Sequence, residues 1–125
     1  MPQTPFSCLE IREQAQALAQ LPVGVTIIDP KGTILYYNPY CARLVDRRPE
    51  YIGKDIRSCH NRPESIEKID HILAQMKKGD PKEYTYESVR KGKTLMVRIS
   101  PFQEQGRLKG FIQSIHILKP GKILP

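Results

Sequence analysis

The residues best suited to chemistry lie in one short stretch, Asp55-Ile56-Arg57-Ser58-Cys59-His60, just before a candidate helix. A neutral imidazole is a good iron ligand, and its second ring nitrogen needs an orienting partner, which Asp55 or a backbone carbonyl could supply. His60 is therefore the candidate metal ligand of this chain. The alternative is that His60 caps or orients the turn at residues 61–63 and contacts no cofactor.

The rest of the sequence offers no catalytic motif. It contains no glycine-rich phosphate loop, no G-x-S-x-G, no H-E-x-x-H and no acidic cluster for magnesium. The other two histidines are far from His60 in sequence, and the three cysteines form neither a C-x-x-C nor a zinc pattern. We therefore expect free thiols and a protein that is not an enzyme.

Length and charge limit the possible classes of protein. With 125 residues, the chain is long enough for one domain with a modest core. Its formal net charge is +7, but the Lys and Arg residues are scattered over expected turns and helix ends. This distribution favours solvated surface charge, and a nucleic-acid partner is not expected; a basic adaptor would show steeply salt-dependent binding.

No apolar run approaches the roughly 20 residues of a membrane span, and no signal segment opens the chain. We therefore expect no membrane contact and a cytoplasmic location.

A β-hairpin is predicted near the N-terminus. Residues 23–28 are crowded with β-branched side chains, and Asp29-Pro30-Lys31-Gly32 offers a tight turn. Residues 33–37 form a second β-rich run, so the pair reads as antiparallel. Asn38 can then cap a short helix that starts at Pro39.

An amphipathic helix precedes the hairpin. Ser7 and Glu10 have the spacing of a capping box, and Ile11, Ala15 and Leu18 continue an apolar stripe. This stripe must pack on the chain's own sheet or against the same helix of another copy. We predict the second arrangement, a homodimer with these three residues in the interface.

The remaining elements complete an α+β pattern. Two helices are predicted, one over residues 39–45 and a longer one that starts at Pro63 and stops at Gly79. Three strands follow, at residues 83–89, 94–100 and 108–118, with a loop at 101–106. Ile66, Ile69, Leu73 and Met76 recur at helical spacing and would form an apolar wall. We expect an N-terminal helix at residues 1–20, one domain at 21–118, and a tail or linker at 119–125.

The hairpin segment resembles the opening of a PAS domain. The matching residues are Asp29 at the end of a strand, Gly32 in the turn and Asn38 before the helix. The resemblance implies a five-stranded antiparallel sheet with helices over one face. It also implies a sensory or regulatory role, in which a small ligand or cofactor alters contacts with a dimer partner or a downstream signalling protein. The N-C-R-F-L-Q motif of photoactive flavin-binding members is absent.

The segment around His60 resembles two subgroups, the haem-binding PAS domains of carbon-monoxide-responsive regulators and the PAS domains attached to hemerythrin-like domains. His60 matches their histidine and Ser65 their serine, with one more intervening residue. The resemblance implies haem held by His60, with Ile69, Leu73 and Tyr86 around it. Met96 is the available second ligand if its side chain faces inward. The alternative is a cofactor-free PAS module for dimerisation or protein interaction.

Overall fold

The sheet has five strands: β1 (Gly24–Ile28), β2 (Ile34–Tyr37), β3 (Tyr84–Arg90), β4 (Lys93–Glu104) and β5 (Arg107–Ile117). They were located in a computed structural model that describes residues 7–59, 63–78 and 82–118. All neighbours pair antiparallel, in the order β2-β1-β5-β4-β3. The sequence-based prediction of a five-stranded antiparallel sheet is confirmed.

In the described residues, three α-helices accompany the sheet: α1 (Ile11–Gln20), α2 (Pro39–Leu44) and α3 (Pro63–Lys77). Single 3-10 turns at Pro49–Tyr51 and Ile56–Cys59 lie between the last two helices. None of the helices within the described ranges has the length and apolarity needed to cross a bilayer.

The hydrophobic core lies between one face of the sheet and helices α2 and α3. Because strand side chains alternate between faces, Leu95, Val97 and Ile99 point to this core together. From α3 the core receives Ile69, Ile72, Leu73 and Met76. Ile72 was absent from the predicted apolar stripe, and Ile66, which belonged to it, is only partly buried.

The predicted hairpin turn is held by Asp29. Its Oδ1 accepts hydrogen bonds from the backbone N–H groups of Lys31 and Thr33, both at 2.9 Å. Gly32 adopts a φ of 100°, which glycine reaches without strain. Asn38 caps α2 as predicted, because its side chain accepts from the backbone N–H of Cys41 at 3.1 Å.

Helix α1 begins one turn later than the Ser7–Glu10 capping box predicted. The Ser7 hydroxyl instead accepts a hydrogen bond from the backbone N–H of Leu9 at 2.9 Å, which forms a local turn. The helix is capped by the next such pair, since the backbone N–H of Glu10 donates to Glu13 Oε1 at 3.0 Å.

The loop predicted at residues 101–106 is wrong, because β4 continues through Pro101 to Glu104. Beyond Ile99, β5 is the only strand among the described residues that pairs with β4, so a proline without a backbone donor is tolerated there. Only Gln105 and Gly106 form the turn.

Gly110 permits a close approach between β5 and the end of β1. A Cβ atom added at this position would lie 2.0 Å from the carbonyl oxygen of Ile28. Only glycine fits without a backbone shift, so Gly110 helps to hold the central strand pair of the sheet in place.

Candidate functional site

A cavity of about 790 Å³ lies between the sheet and the helices and is open to solvent on one side, where exposed residues such as Glu64, Lys68 and Glu87 form its rim. Its walls come from the end of α2, the first half of α3 and the inward faces of β3, β4 and β5, and include Leu44, Arg47, Ile69, Tyr86, Val97 and Gln113. Small-molecule sites in proteins usually span about 300–1,000 Å³ and combine apolar walls with a few placed polar groups. The cavity has this size, but more than half of its lining residues are polar or charged, and the exposed ones among them lie at its open side.

Arg47 is the principal polar group in the wall. It follows α2, where the chain turns back across the sheet, and only 8% of its surface is exposed. Its Nε donates to Thr26 Oγ1 at 3.3 Å, and its Nη2 donates to Gln113 Oε1 at 3.1 Å. Its Nη1 donates to the carbonyl of Asp46 at 3.1 Å. All three acceptors are neutral.

Tyr86 faces Arg47 from the edge strand β3. Burial raises the pKa of the Tyr86 phenol above its ordinary value, while the Gln113 side chain and the positive charges of Arg90 and Arg47 act in the opposite direction. The phenol therefore stays protonated at neutral pH and can donate or accept a hydrogen bond. Lys68 of α3 lies over the Tyr86 ring, with its Nζ 4.1 Å from the ring centroid.

The sequence-predicted site residues are only partly brought together. Tyr86 and Ile69 both line the large cavity. Leu73 instead lies in the packed core, beside a void of about 20 Å³, which holds roughly one water molecule. Met96 lies between the buried Leu95 and Val97, so its side chain projects from the opposite face of the sheet. The structure thus corrects the placement of Met96 as a cavity ligand.

His60 lies outside the described residues, and so does the tail at residues 119–125. The segment that leads to His60 is held in place by Arg57, whose Nε donates to Asp70 of α3 at 2.6 Å and whose Nη1 donates to Asp55 at 2.8 Å. The hydrogen bond to Asp70 raises the pKa of Arg57, as does the charge of Asp55, against the effect of burial. The Asp55 carboxylate, a candidate orienting partner of His60, is thus engaged by Arg57.

The described residues of the cavity wall offer few ligand types for haem. Those that line the large cavity include no histidine, cysteine or methionine. No group of three or more potential metal ligands occurs in the described part of the chain. Among the described residues of this wall, Tyr86 is the one whose side-chain type ligates iron in some haem proteins. Its raised pKa favours the protonated phenol, which is a weak ligand.

Arg47, Gln113 and Lys68 were missed by the sequence-based reasoning, which treated the basic residues as surface charge. One signal was available for Gln113. It is a polar residue between Phe111 and Ile115 on the inward face of β5, where apolar side chains are expected. No local pattern marks Arg47, because its hydrogen-bond partners Thr26 and Gln113 are distant in sequence.

A family model described as "PAS domain" matches residues 15–116. The chain therefore belongs to the PAS domain family, as the hairpin segment predicted. As a family, PAS domains are sensory and signalling modules. Nothing in the comparisons supports the haem-binding subgroup, and no curated protein matches the sequence.

Solved structures share the fold at low sequence identity. The C-terminal domain of a Streptococcus mutans protein has a TM-score of 0.77 at 23% identity, covering 95% of this chain and 94% of that one. A Vibrio cholerae sensory box sensor histidine kinase has a TM-score of 0.62 at 17% identity, covering 86% of this chain and 91% of that one. The Vibrio cholerae VqmA dimer has a TM-score of 0.68 at 18% identity, covering 94% of this chain and 55% of the VqmA chain.

Proposed function

We propose that this PAS domain is a sensor that binds a small organic ligand in the cavity beside Arg47 and passes the change to a partner. It would act by binding alone, without catalysing a reaction. The observation that carries the proposal is the cavity itself, which combines a size of about 790 Å³ with a buried guanidinium in its wall. The sensor proteins among the similar structures support a signalling role.

The route of the signal is suggested by the elements around the cavity. Its wall uses α2, α3 and β5, while the buried Asn38 side chain joins the start of α2 to the carbonyls of Val23 and Leu18. Leu18 belongs to α1, which packs on α2 and contains no buried residue. A ligand that displaces α2 would therefore also displace α1.

Filling the cavity tests this proposal. Ser88 faces the cavity from β3, whereas Thr85 on the same strand points to the other face of the sheet. Ligand-observed NMR with a set of small aromatic acids, amides and amines should show binding to the wild-type protein. Ser88→Trp should abolish that binding, and the matched control Thr85→Trp should preserve it. The absence of binding by every compound would contradict the proposal.

A second function, homodimerisation, is favoured by one specific observation. Ile11 is 85% exposed and Leu18 is 39% exposed, so the apolar stripe of α1 is not covered by the chain's own sheet. We propose that a second copy covers it. This arrangement is compatible with ligand sensing and would also serve a cofactor-free interaction module.

A further inference from the structure

We propose that the ligand carries a carboxylate and that Arg47 is the residue that binds it. This inference rests on the proposed ligand-binding function and adds the chemical class of the ligand. It starts from the hydrogen bonds of one buried side chain, since a guanidinium stays charged at every physiological pH.

The first step is the missing counter-charge. Burying an ion is costly unless an opposite charge and hydrogen bonds compensate for the lost hydration. Arg47 forms no ion pair with any of the described residues, and its three acceptors are a hydroxyl, an amide oxygen and a backbone carbonyl. Within the described part of the chain, its charge therefore lacks the partner that a buried arginine ordinarily has.

The second step is the number of donors that remain. A guanidinium has five N–H bonds, of which Nε carries one and each terminal nitrogen carries two. Among the described residues, Nε and one N–H on each terminal nitrogen are engaged. One donor on each terminal nitrogen is left, so the guanidinium keeps the capacity to donate to both oxygens of a carboxylate.

The third step concerns the charges around the cavity. Of the basic residues at its wall, Arg47 is buried and Arg90 is half-buried, whereas Lys68 and Lys91 are exposed. The acidic residues at the wall, Asp46, Glu64 and Glu87, are all exposed to solvent, and Asp46 already accepts hydrogen bonds from Arg48 and Tyr51. The buried part of the site therefore presents net positive charge, which favours an anion.

The fourth step is the apolar part of the wall. It favours an organic ligand over a small inorganic ion, which could not use these apolar contacts. Leu44, Ile69, Val97 and Ile115 line the same cavity as Arg47. They suit a hydrocarbon or aromatic body, while Tyr86 offers one further hydrogen-bonding group opposite the guanidinium. The ligand class that meets all four conditions is an organic acid with an apolar body.

Pairs of probes that differ only in charge test the inference. The probes are phenylacetate against phenylacetamide and hexanoate against hexanamide, measured by NMR titration of the whole chain. Each acid should bind about tenfold more tightly than its amide, because a charge-assisted hydrogen bond is stronger than a neutral one. Arg47→Met should remove this difference, and Arg47→Lys should retain part of it.

A measurement on the wild-type protein guards against a variant that fails to fold. The Nε–Hε resonance of Arg47 should shift when phenylacetate is added and stay in place with phenylacetamide. If acids and amides bind equally, or if the Arg47 resonance does not respond to phenylacetate, Arg47 is structural and the inference is overturned while the sensor proposal stands. If no probe of either kind binds, both are overturned.

Discussion

The Nζ of Lys68 lies 4.1 Å from the centroid of the Tyr86 ring. This cation–π contact joins α3 to β3, two elements that are otherwise separated by the cavity that both residues line. The contact therefore bridges the helical and sheet walls of the cavity, next to the buried Arg47. It also places a positive charge over an aromatic ring whose hydroxyl is partly desolvated.

We predict that the Tyr86 phenol titrates above the ordinary tyrosine pKa of 10.0, chiefly because burial disfavours the phenolate. With the folded pKa above the unfolded one, the contribution of Tyr86 to stability is fully present below about pH 10 and is lost as pH rises through the folded pKa. Tyr86→Phe should therefore flatten the loss of stability at alkaline pH.

The measurement is a spectrophotometric titration at the phenolate absorbance band. Subtracting the Tyr86→Phe curve from the wild-type curve isolates one of the 6 tyrosines of the chain. Tyr36 lies on the opposite face of the sheet, so the difference between the wild-type and Tyr36→Phe titration curves serves as the matched control. A Tyr86 difference curve with its midpoint at or below pH 10 would contradict the prediction.

Asn38 is predicted to be essential for stability. It is fully buried, and its Oδ1 accepts from the backbone N–H groups of Val25 at 2.9 Å and Cys41 at 3.1 Å, while its Nδ2 donates to the Val23 carbonyl at 2.8 Å. Asn38→Ala leaves these buried groups without partners, so the free energy of unfolding should fall by about 3 kcal/mol.

Urea denaturation measures this loss, and hydrogen exchange should show faster opening of α1, because Asn38 Nδ2 also donates to the Leu18 carbonyl at 3.4 Å. The control is Ser58→Ala, which removes an exposed hydrogen bond and should cost less than about 1 kcal/mol. Equal losses in the two variants would show that Asn38 acts only as an ordinary helix cap.

Local chemistry explains which parts of the fold could be predicted from the sequence. The hairpin turn depends on Asp29 and Gly32, which are adjacent to the bonds they stabilise, and the cap of α2 depends on Asn38 and the next three residues. Strand β4 could not be followed past Pro101, because tolerance of a proline depends on which neighbouring strand is present at that position.

The candidate site was less predictable, because its key contacts join residues that are distant in sequence. The burial of Arg47 is decided by Thr26 and Gln113, which come from two central strands, and its immediate sequence, Asp46-Arg47-Arg48-Pro49, resembles an ordinary charged loop. Ile69 was expected at the cofactor from helix periodicity and Tyr86 from the resemblance; both line the cavity, and their contact with a ligand stays a prediction. Met96 does not line it, because its strand neighbours Leu95 and Val97 face inward.

The apolar stripe of α1 is predicted to form the homodimer interface. Leu18→Asp places a charge in that interface twice, once per copy. A loss of about 1.5 kcal/mol per buried leucine corresponds to a roughly hundredfold weaker dimer. Light scattering over a concentration series measures the shift. Gln16→Asp, on the polar side of the same helix, should leave the dimer intact. A wild-type protein that stays monomeric at high micromolar concentration would refute the interface.

Haem binding through His60 remains the sequence-based prediction with the sharpest test. If the imidazole is an axial ligand, hemin added to the protein should give a Soret band that His60→Ala shifts or abolishes. Met96→Leu should leave the band unchanged, because Met96 projects from the face of the sheet opposite the cavity. Arg47→Met separates the two hypotheses for the cavity, since it should weaken phenylacetate binding whatever the state of His60. A Soret band that is unchanged in His60→Ala, or no uptake of hemin by the wild type, rules out the ligand role. In that case the organic acid remains the candidate occupant, because the described residues engage only one N–H on each terminal nitrogen of Arg47.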